Sequence, residues 1–184
     1  MDLKDTGTYR RKIKTREELR EILGSRPRSR TVIMCHGTFD LVHPGHVRHL
    51  IYAKSKADLL VASLTSDVHI SKANYRPFVP QQLRAMNLAA LEVVDYVIID
   101  EDPTPIRSLG YLQPDYFAKG YEYTGSGVHP KTQEEIDVLN SYGGEVIFTP
   151  GDIVFSSSRF IENEPPKIHV EKLVALMESE GITF

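Results

Sequence analysis

One cysteine, Cys35, is too few for an internal disulfide, so nothing in the chain asks for an oxidising compartment. Long apolar runs are also missing. The longest, such as Asp58–Leu64 and Tyr96–Ile99, fall far short of the roughly 20 residues of a membrane-spanning helix, and the first residues lack an apolar signal core. These absences make a soluble, cytoplasmic protein the expectation. The charge is close to balance as well, with 22 Lys+Arg against 25 Asp+Glu and a net charge of -3, so no global field attracts nucleic acid or an anionic membrane. The basic stretches Arg10–Lys14 and Arg26–Arg30 are short, with little aromatic interleaving, which speaks against a nucleic-acid module. An anionic ligand must therefore be met by a local cluster.

What the chain does contain, in 184 residues of which 41% are hydrophobic, suits one globular domain. Residues 1–14 read as a solvated basic arm. Thr15 and Glu18 form a capping-box signature ahead of Leu19, Ile22 and Leu23, with Gly24 at the helix end and the polar connector Arg26-Pro27-Arg28-Ser29-Arg30 beyond it. Branched apolar runs at Thr31–His36, Asp58–Thr65, Asp95–Asp100, Asp115–Ala118 and Glu145–Thr149 predict five buried strands. Gly45–Lys56, Gln81–Glu92, Pro105–Leu109 and Thr132–Tyr142 have helical spacing between them. That alternation predicts an α/β, doubly wound, Rossmann-like parallel sheet over residues 15–162. Pro165-Pro166 then breaks the chain, and Ile168–Glu180 reads as an amphipathic helix within a C-terminal segment, 163–184. The ending near Phe184 is compatible with a complete domain or with one cut from a longer protein.

Four of the seven histidines, His36, His43, His46 and His49, lie within fourteen residues at the end of the first long strand and the start of the next helix. Ligands of open α/β sheets bind at such carboxyl ends. In Gly37-Thr38-Phe39-Asp40-Leu41-Val42-His43-Pro44-Gly45-His46, glycines allow close backbone approach and Pro44 suits a first helical turn. Amides at that helix start would face phosphates, and His43 and His46, three apart, can project from one side with two imidazole donors. A zinc site is disfavoured, since neither a cysteine pair nor H-E-x-x-H accompanies them.

This stretch resembles the G-x-F-D-x-x-H-x-G-H signature of the cytidylyltransferase-like nucleotidyltransferase superfamily, and the resemblance covers about Arg16 to Glu162. Within it, the chain is most similar to the nucleotidyltransferase half of bacterial ADP-heptose synthase and more distantly to glycerol-3-phosphate cytidylyltransferase. Lys72-Ala73-Asn74-Tyr75-Arg76-Pro77 resembles the K-x-x-x-R-P loop, with Arg84 at the place of an arginine in the following helix. Pro114-Asp115-Tyr116-Phe117-Ala118-Lys119-Gly120-Tyr121-Glu122-Tyr123 resembles the P-D-x-x-x-K-G-x-[DE]-Y element, and Ser156-Ser157-Ser158 a phosphate-contacting turn. One departure stands out: Gly151-Asp152-Ile153-Val154-Phe155 precedes the serines where relatives often carry a basic residue, while Arg159 follows them.

The resemblance implies transfer of a nucleoside monophosphate from ATP to a phosphorylated sugar such as a heptose 1-phosphate, with release of pyrophosphate. His43, His46, Lys72 and Arg84 are its expected catalytic residues. Gly37, Thr38, Phe39, Asp40, Gly45, Lys119, Gly120, Tyr121, Glu122, Ser156, Ser157 and Ser158 are expected to hold the nucleotide, and Asp67 and Arg76 the acceptor. Magnesium would accompany the nucleotide, without a metal site built from protein side chains. A homodimer and a linked or separate sugar kinase are the expected partners. Without the resemblance, Lys72 and Arg84 read more readily as solvated surface cations, and Ser156–Ser158 equally as a helix cap. Two other functions stay open: a CTP-dependent enzyme acting on glycerol 3-phosphate or a related acceptor, and a nucleotide sensor without turnover.

Overall fold

A computed structural model describes residues 7, 9–70, 76–120 and 130–149. Its six parallel strands are β1 (Ile13–Lys14), β2 (Val32–Gly37), β3 (Leu59–Thr65), β4 (Tyr96–Asp100), β5 (Tyr116–Lys119) and β6 (Glu145–Phe148), in the order β1-β4-β3-β2-β5-β6. Five coincide with the expected runs. The sixth is an addition: Ile13 and Lys14, assigned by sequence to a solvated arm, pair with Val97 and Ile98 on the outer edge of β4. Two residues cannot show a period, so composition gave no sign of this strand.

The helices are α1 (Arg16–Leu23), α2 (Pro44–Lys54), α3 (Gln81–Ala89), α4 (Ile106–Leu112) and α5 (Pro130–Ser141). The capping box at the start of α1 is formed: Glu18 N donates to Thr15 Oγ1 at 3.1 Å, and Thr15 N donates to Glu18 Oε2 at 2.8 Å. Alternating side chains divide β2 between two cores. Ile33 and Cys35 join Leu50, Ala53, Ala85 and Leu88 beneath α2 and α3, while Val32 and Met34 join Leu19, Leu109, Leu112 and Leu139 beneath α1, α4 and α5. Covering both faces is what makes the central strands β2 and β3 near-continuous apolar runs in sequence.

From β2 the chain builds outward through β3 and β4, then returns to the other side of β2 for β5 and β6. The reversal falls between β2 and β5. A doubly wound sheet has its crevice at such a point, outside the carboxyl ends of the strands, here at Gly37 and Lys119. Among the described residues, no helix is long and apolar enough to cross a membrane.

Candidate active site

The loop leaving β2 is shaped by packing. Phe39 has φ 48°, a left-handed conformation uncommon for a side chain of this size, and its ring is 3% exposed. A β carbon at Gly37 would stand 3.3 Å from Phe39 Cε2, tighter than an ordinary contact, so any larger residue there presses on this ring. The Phe39 ring meets His46 edge-on at 5.1 Å between centroids. This contact sets one wall for the second imidazole of the motif.

His43 is the N-cap of α2 and Pro44 its first residue. The His43 side chain makes no capping hydrogen bond to the first turn, and proline brings no N–H there. The His43 and His46 rings stack 3.8 Å apart with planes 24° from parallel. Among the described residues, His43 Nδ1 has no hydrogen-bond partner. Burial lowers the His43 pKa from the ordinary histidine value, which favours a neutral ring still carrying one N–H. Two adjacent imidazoles at a helix start can offer donors to a phosphoryl group without a lasting cation.

Several of the residues expected at the ligand make hydrogen bonds and ion pairs with the surrounding loops. Arg84 is 0% exposed: Nε donates to Val79 O at 2.9 Å, Nη1 to Thr38 O, and Nη2 to Asp67 Oδ1 at 2.6 Å. Its three nitrogens thereby join the loops after β2 and β3 to the entry of α3. Asp67 also accepts from Gln81 N at 3.2 Å. Asp40, 2% exposed, accepts from Val79 N at 2.9 Å and lies 3.5 Å from Arg76 Nη1, while the Arg76 guanidinium covers the Phe78 ring. Lys119 forms a buried ion pair with Glu135 of α5. Gly45 sits in the first turn of α2 and Gly120 directly follows β5, both at the crevice. Lys72, Tyr121, Glu122, Ser156, Ser157, Ser158 and Arg159 lie outside the described residues.

A polar chain beneath the motif escaped the sequence reading. Ser63 Oγ donates to Asp100 Oδ2 at 3.2 Å, so it accepts from His36 Nδ1 at 2.9 Å, and His36 Nε2 then receives the Thr65 hydroxyl at 3.2 Å. Asp100 is held in turn by Arg16 of α1 at 3.2 Å. Burial pushes the His36 pKa down to about 4, with Asp100 opposing the shift and Lys119 adding to it. A neutral His36 thus ties together the carboxyl ends of β2, β3 and β4. Its place in the histidine cluster was the available signal, but its partners are 27 to 29 residues away.

A doubly wound sheet with its reversal at β2/β5, and paired imidazoles on the helix start beside that reversal, defines an open α/β domain with its crevice at the switch point. A profile described as Cytidylyltransferase-like matches residues 34–164, and the chain belongs to that family of nucleotidyltransferases. It is 43% identical over 141 residues to the bifunctional protein HldE of Syntrophotalea carbinolica, which aligns with 75% of this chain and 28% of that protein. Against the bifunctional protein HldE of Geobacter metallireducens it is 41% identical over 138 residues, covering 73% of this chain and 27% of the relative. The chain therefore spans little more than a quarter of these relatives.

Among solved structures, the pantoate-beta-alanine ligase of Francisella tularensis aligns at TM-score 0.58 and 16% identity, over 91% of this chain and 78% of the ligase. The lipopolysaccharide core biosynthesis protein of Thermoplasma volcanium aligns at TM-score 0.53 and 24% identity, over 65% and 94%. Both are likenesses of fold.

Proposed function

We propose that this domain transfers the nucleoside monophosphate of ATP to a phosphorylated sugar of the heptose 1-phosphate type and releases pyrophosphate. The stacked His43 and His46 rings at the start of α2 are the observation that carries this reading. An oxygen of the acceptor phosphate attacks the α-phosphorus, a new P–O bond forms, and the bond to the β-phosphate oxygen breaks with its electron pair leaving on pyrophosphate. Such a transfer depends on alignment and on neutralising spread charge. In this reading the two imidazoles donate to oxygens around the α-phosphorus, the first turn of α2 faces the phosphates, and Lys72 with Ser156–Ser158 contacts the triphosphate tail.

Arg84, Asp67 and Asp40 act here as positioning residues, since their polar atoms are directed at neighbouring loops. Magnesium is proposed as the counter-ion that the nucleotide brings, supplying charge neutralisation on the phosphates. Among the described residues no group of three or more His, Cys, Asp or Glu could hold it, and the Asp40 carboxylate already faces Val79 N and Arg76. That donor set suits an ion coordinated mainly by phosphate oxygens and water.

ATP and a sugar acceptor are favoured by the Pro114–Tyr123 element and by the bifunctional relatives. The same relatives support the proposal of a kinase partner that supplies the phosphorylated sugar; homodimerisation is proposed as well. Pyrophosphate release measured with ATP and with CTP, each against heptose 1-phosphate, other sugar phosphates and glycerol 3-phosphate, tests the reading. The expected result is turnover with ATP and a sugar 1-phosphate. Preference for CTP and glycerol 3-phosphate would move the chain to the other branch of the family, and tight nucleotide binding without any product would make it a sensor.

A further inference from the structure

Three histidines follow one another at intervals of three along α2 and its N-cap: His43, His46 and His49. Residues so spaced are neighbours on one side of a helix, and His49 stands one turn beyond the imidazole pair. Its Nδ1 lies 2.9 Å from Oγ1 of Thr149, a residue 100 positions away that directly follows β6. Thr149 is buried, its amide donates to Lys119 O at 2.8 Å, and its hydroxyl donates to the same carbonyl at 3.2 Å. With its own proton directed there, the hydroxyl accepts from His49, so Nδ1 carries the hydrogen. The bond crosses the switch point: α2 follows β2 and packs on β2 and β3, whereas Thr149 belongs to the β5–β6 side.

A histidine that merely holds a helix against a sheet would account for this bond, yet apolar packing already does that work. Leu50 and Ala53 are fully buried in the core to which Ala118 and Ile147 also belong. Apolar burial is non-directional: it sets how deep a helix sits and holds its roll about the axis weakly. A hydrogen bond has an angle as well as a length, and it restrains that roll. The imidazole pair is sensitive to it. At the roughly 5–6 Å radius of helix side chains, a roll of about 10° moves a ring by about 1 Å. A misplacement of that size can slow a transfer on the order of a hundredfold. Phe39 meets His46 edge-on from the loop after β2, and His49 supplies the restraint from the β6 side.

We infer that His49, through Thr149, is a positioning residue that fixes the roll of α2 and thereby the aim of the His43 and His46 rings across the crevice. Its effect on turnover rests on the transfer proposed above; its effect on the two rings rests on geometry alone.

Turnover and ring geometry are measured on the full chain for the wild type, His49→Leu, Thr149→Val, the double variant, Thr149→Ser and His49→Asn. Thr149→Val keeps the side-chain shape and removes the hydroxyl, while His49→Asn keeps an N–H near the place of Nδ1. With ATP and a sugar 1-phosphate, His49→Leu and Thr149→Val should each lower kcat about tenfold while KM for ATP changes by less than about twofold. The double variant should fall no further than either single one. Thr149→Ser and His49→Asn should recover most of the loss. Nitrogen-15 spectra of histidine-labelled protein give a readout that needs no activity. The wild type should show a ring protonated on Nδ1 whose signal His49→Leu removes, and Thr149→Val should shift the His43 and His46 signals from another element of the fold. Unchanged kcat in Thr149→Val, additive losses in the double variant, or an equal loss in Thr149→Ser overturns the positioning role. A wild type that releases no pyrophosphate with any acceptor refutes the proposed transfer instead; unshifted His43 and His46 signals in Thr149→Val then overturn the positioning role separately. Should His49→Leu fail to fold, the contrast between Thr149→Val and Thr149→Ser decides the matter.

Discussion

Arg84 and the His43/His46 pair lie at the same edge of the same sheet, yet their surroundings are opposed. Arg84 is enclosed, with Nε, Nη1 and Nη2 directed at Val79, Thr38 and Asp67 from one rigid fork. The imidazoles stack on the first turn of α2, both partly exposed, with His43 Nδ1 lacking a hydrogen-bond partner among the described residues. A group whose every donor meets its own chain fixes geometry; partly exposed rings at a helix start are where the proposed reaction places its contacts with phosphate. In the proposed function the difference separates framework from chemistry, and sequence spacing alone ranks both as charged or polar motif positions.

The strongest way to break the comparison is Arg84→Ala. It leaves the Thr38 and Val79 carbonyls without their donor and Asp67 without its cation, at an expected cost of about 3 kcal/mol, measured by urea unfolding. Asp67 keeps its Gln81 amide and is partly exposed, which holds the cost at the lower end of the range for broken buried pairs. Turnover should fall along with stability. Arg84→Lys should restore little of either, because one ammonium cannot reach three differently placed acceptors in the way a planar fork does. His46→Ala should show the converse: turnover lower on the order of a hundredfold, with unfolding free energy changed by less than about 1 kcal/mol. An Arg84→Ala protein of normal stability and abolished turnover would erase the distinction.

The His36 chain offers a finer test in which pH is varied. With its folded pKa at about 4 and its unfolded value near the ordinary 6.5, His36 binds more proton in the unfolded state between those limits. Its contribution is therefore complete above about pH 6.5 and lost as pH falls towards 4. Urea unfolding at pH 7.0, 5.5 and 4.5 should show a decline of at most about 3 kcal/mol attributable to this group. His36→Asn should flatten that decline whatever it does to stability at neutral pH.

The elements that could be read from sequence are those with local causes. The capping box of Thr15 and Glu18, the apolar runs of five strands and the proline at the start of α2 each announce themselves within a few residues. Positions of the motif histidines followed from their place after β2. What escaped depends on pairs distant in the chain: Arg84 with Thr38 is 46 residues apart, Lys119 with Glu135 bridges two elements, and Ile13–Lys14 becomes a strand only because β4 offers an edge. An arginine in a helix looks the same in sequence whether it faces solvent or crosses beneath three loops.

Gly37→Ala carries the smallest expected effect and probes the join between framework and chemistry. Gly37 does not use a left-handed backbone among the described glycines, so its substitution is a question of volume alone. The new methyl would press on Phe39 Cε2 from 3.3 Å, and Phe39 cannot retreat freely because its ring is buried and its backbone is already held at φ 48°. Overpacking of this kind costs about 1 kcal/mol, the lower end for an added core carbon. The Phe39 ring is also the edge-on neighbour of His46, so the displacement passes to the imidazole and should lower turnover several-fold. Measured side by side, a stability loss near 1 kcal/mol with several-fold slower pyrophosphate release would show that the two layers touch at this ring. Unchanged turnover at the same stability loss would show instead that His46 is held by α2 and His43 without help from Phe39.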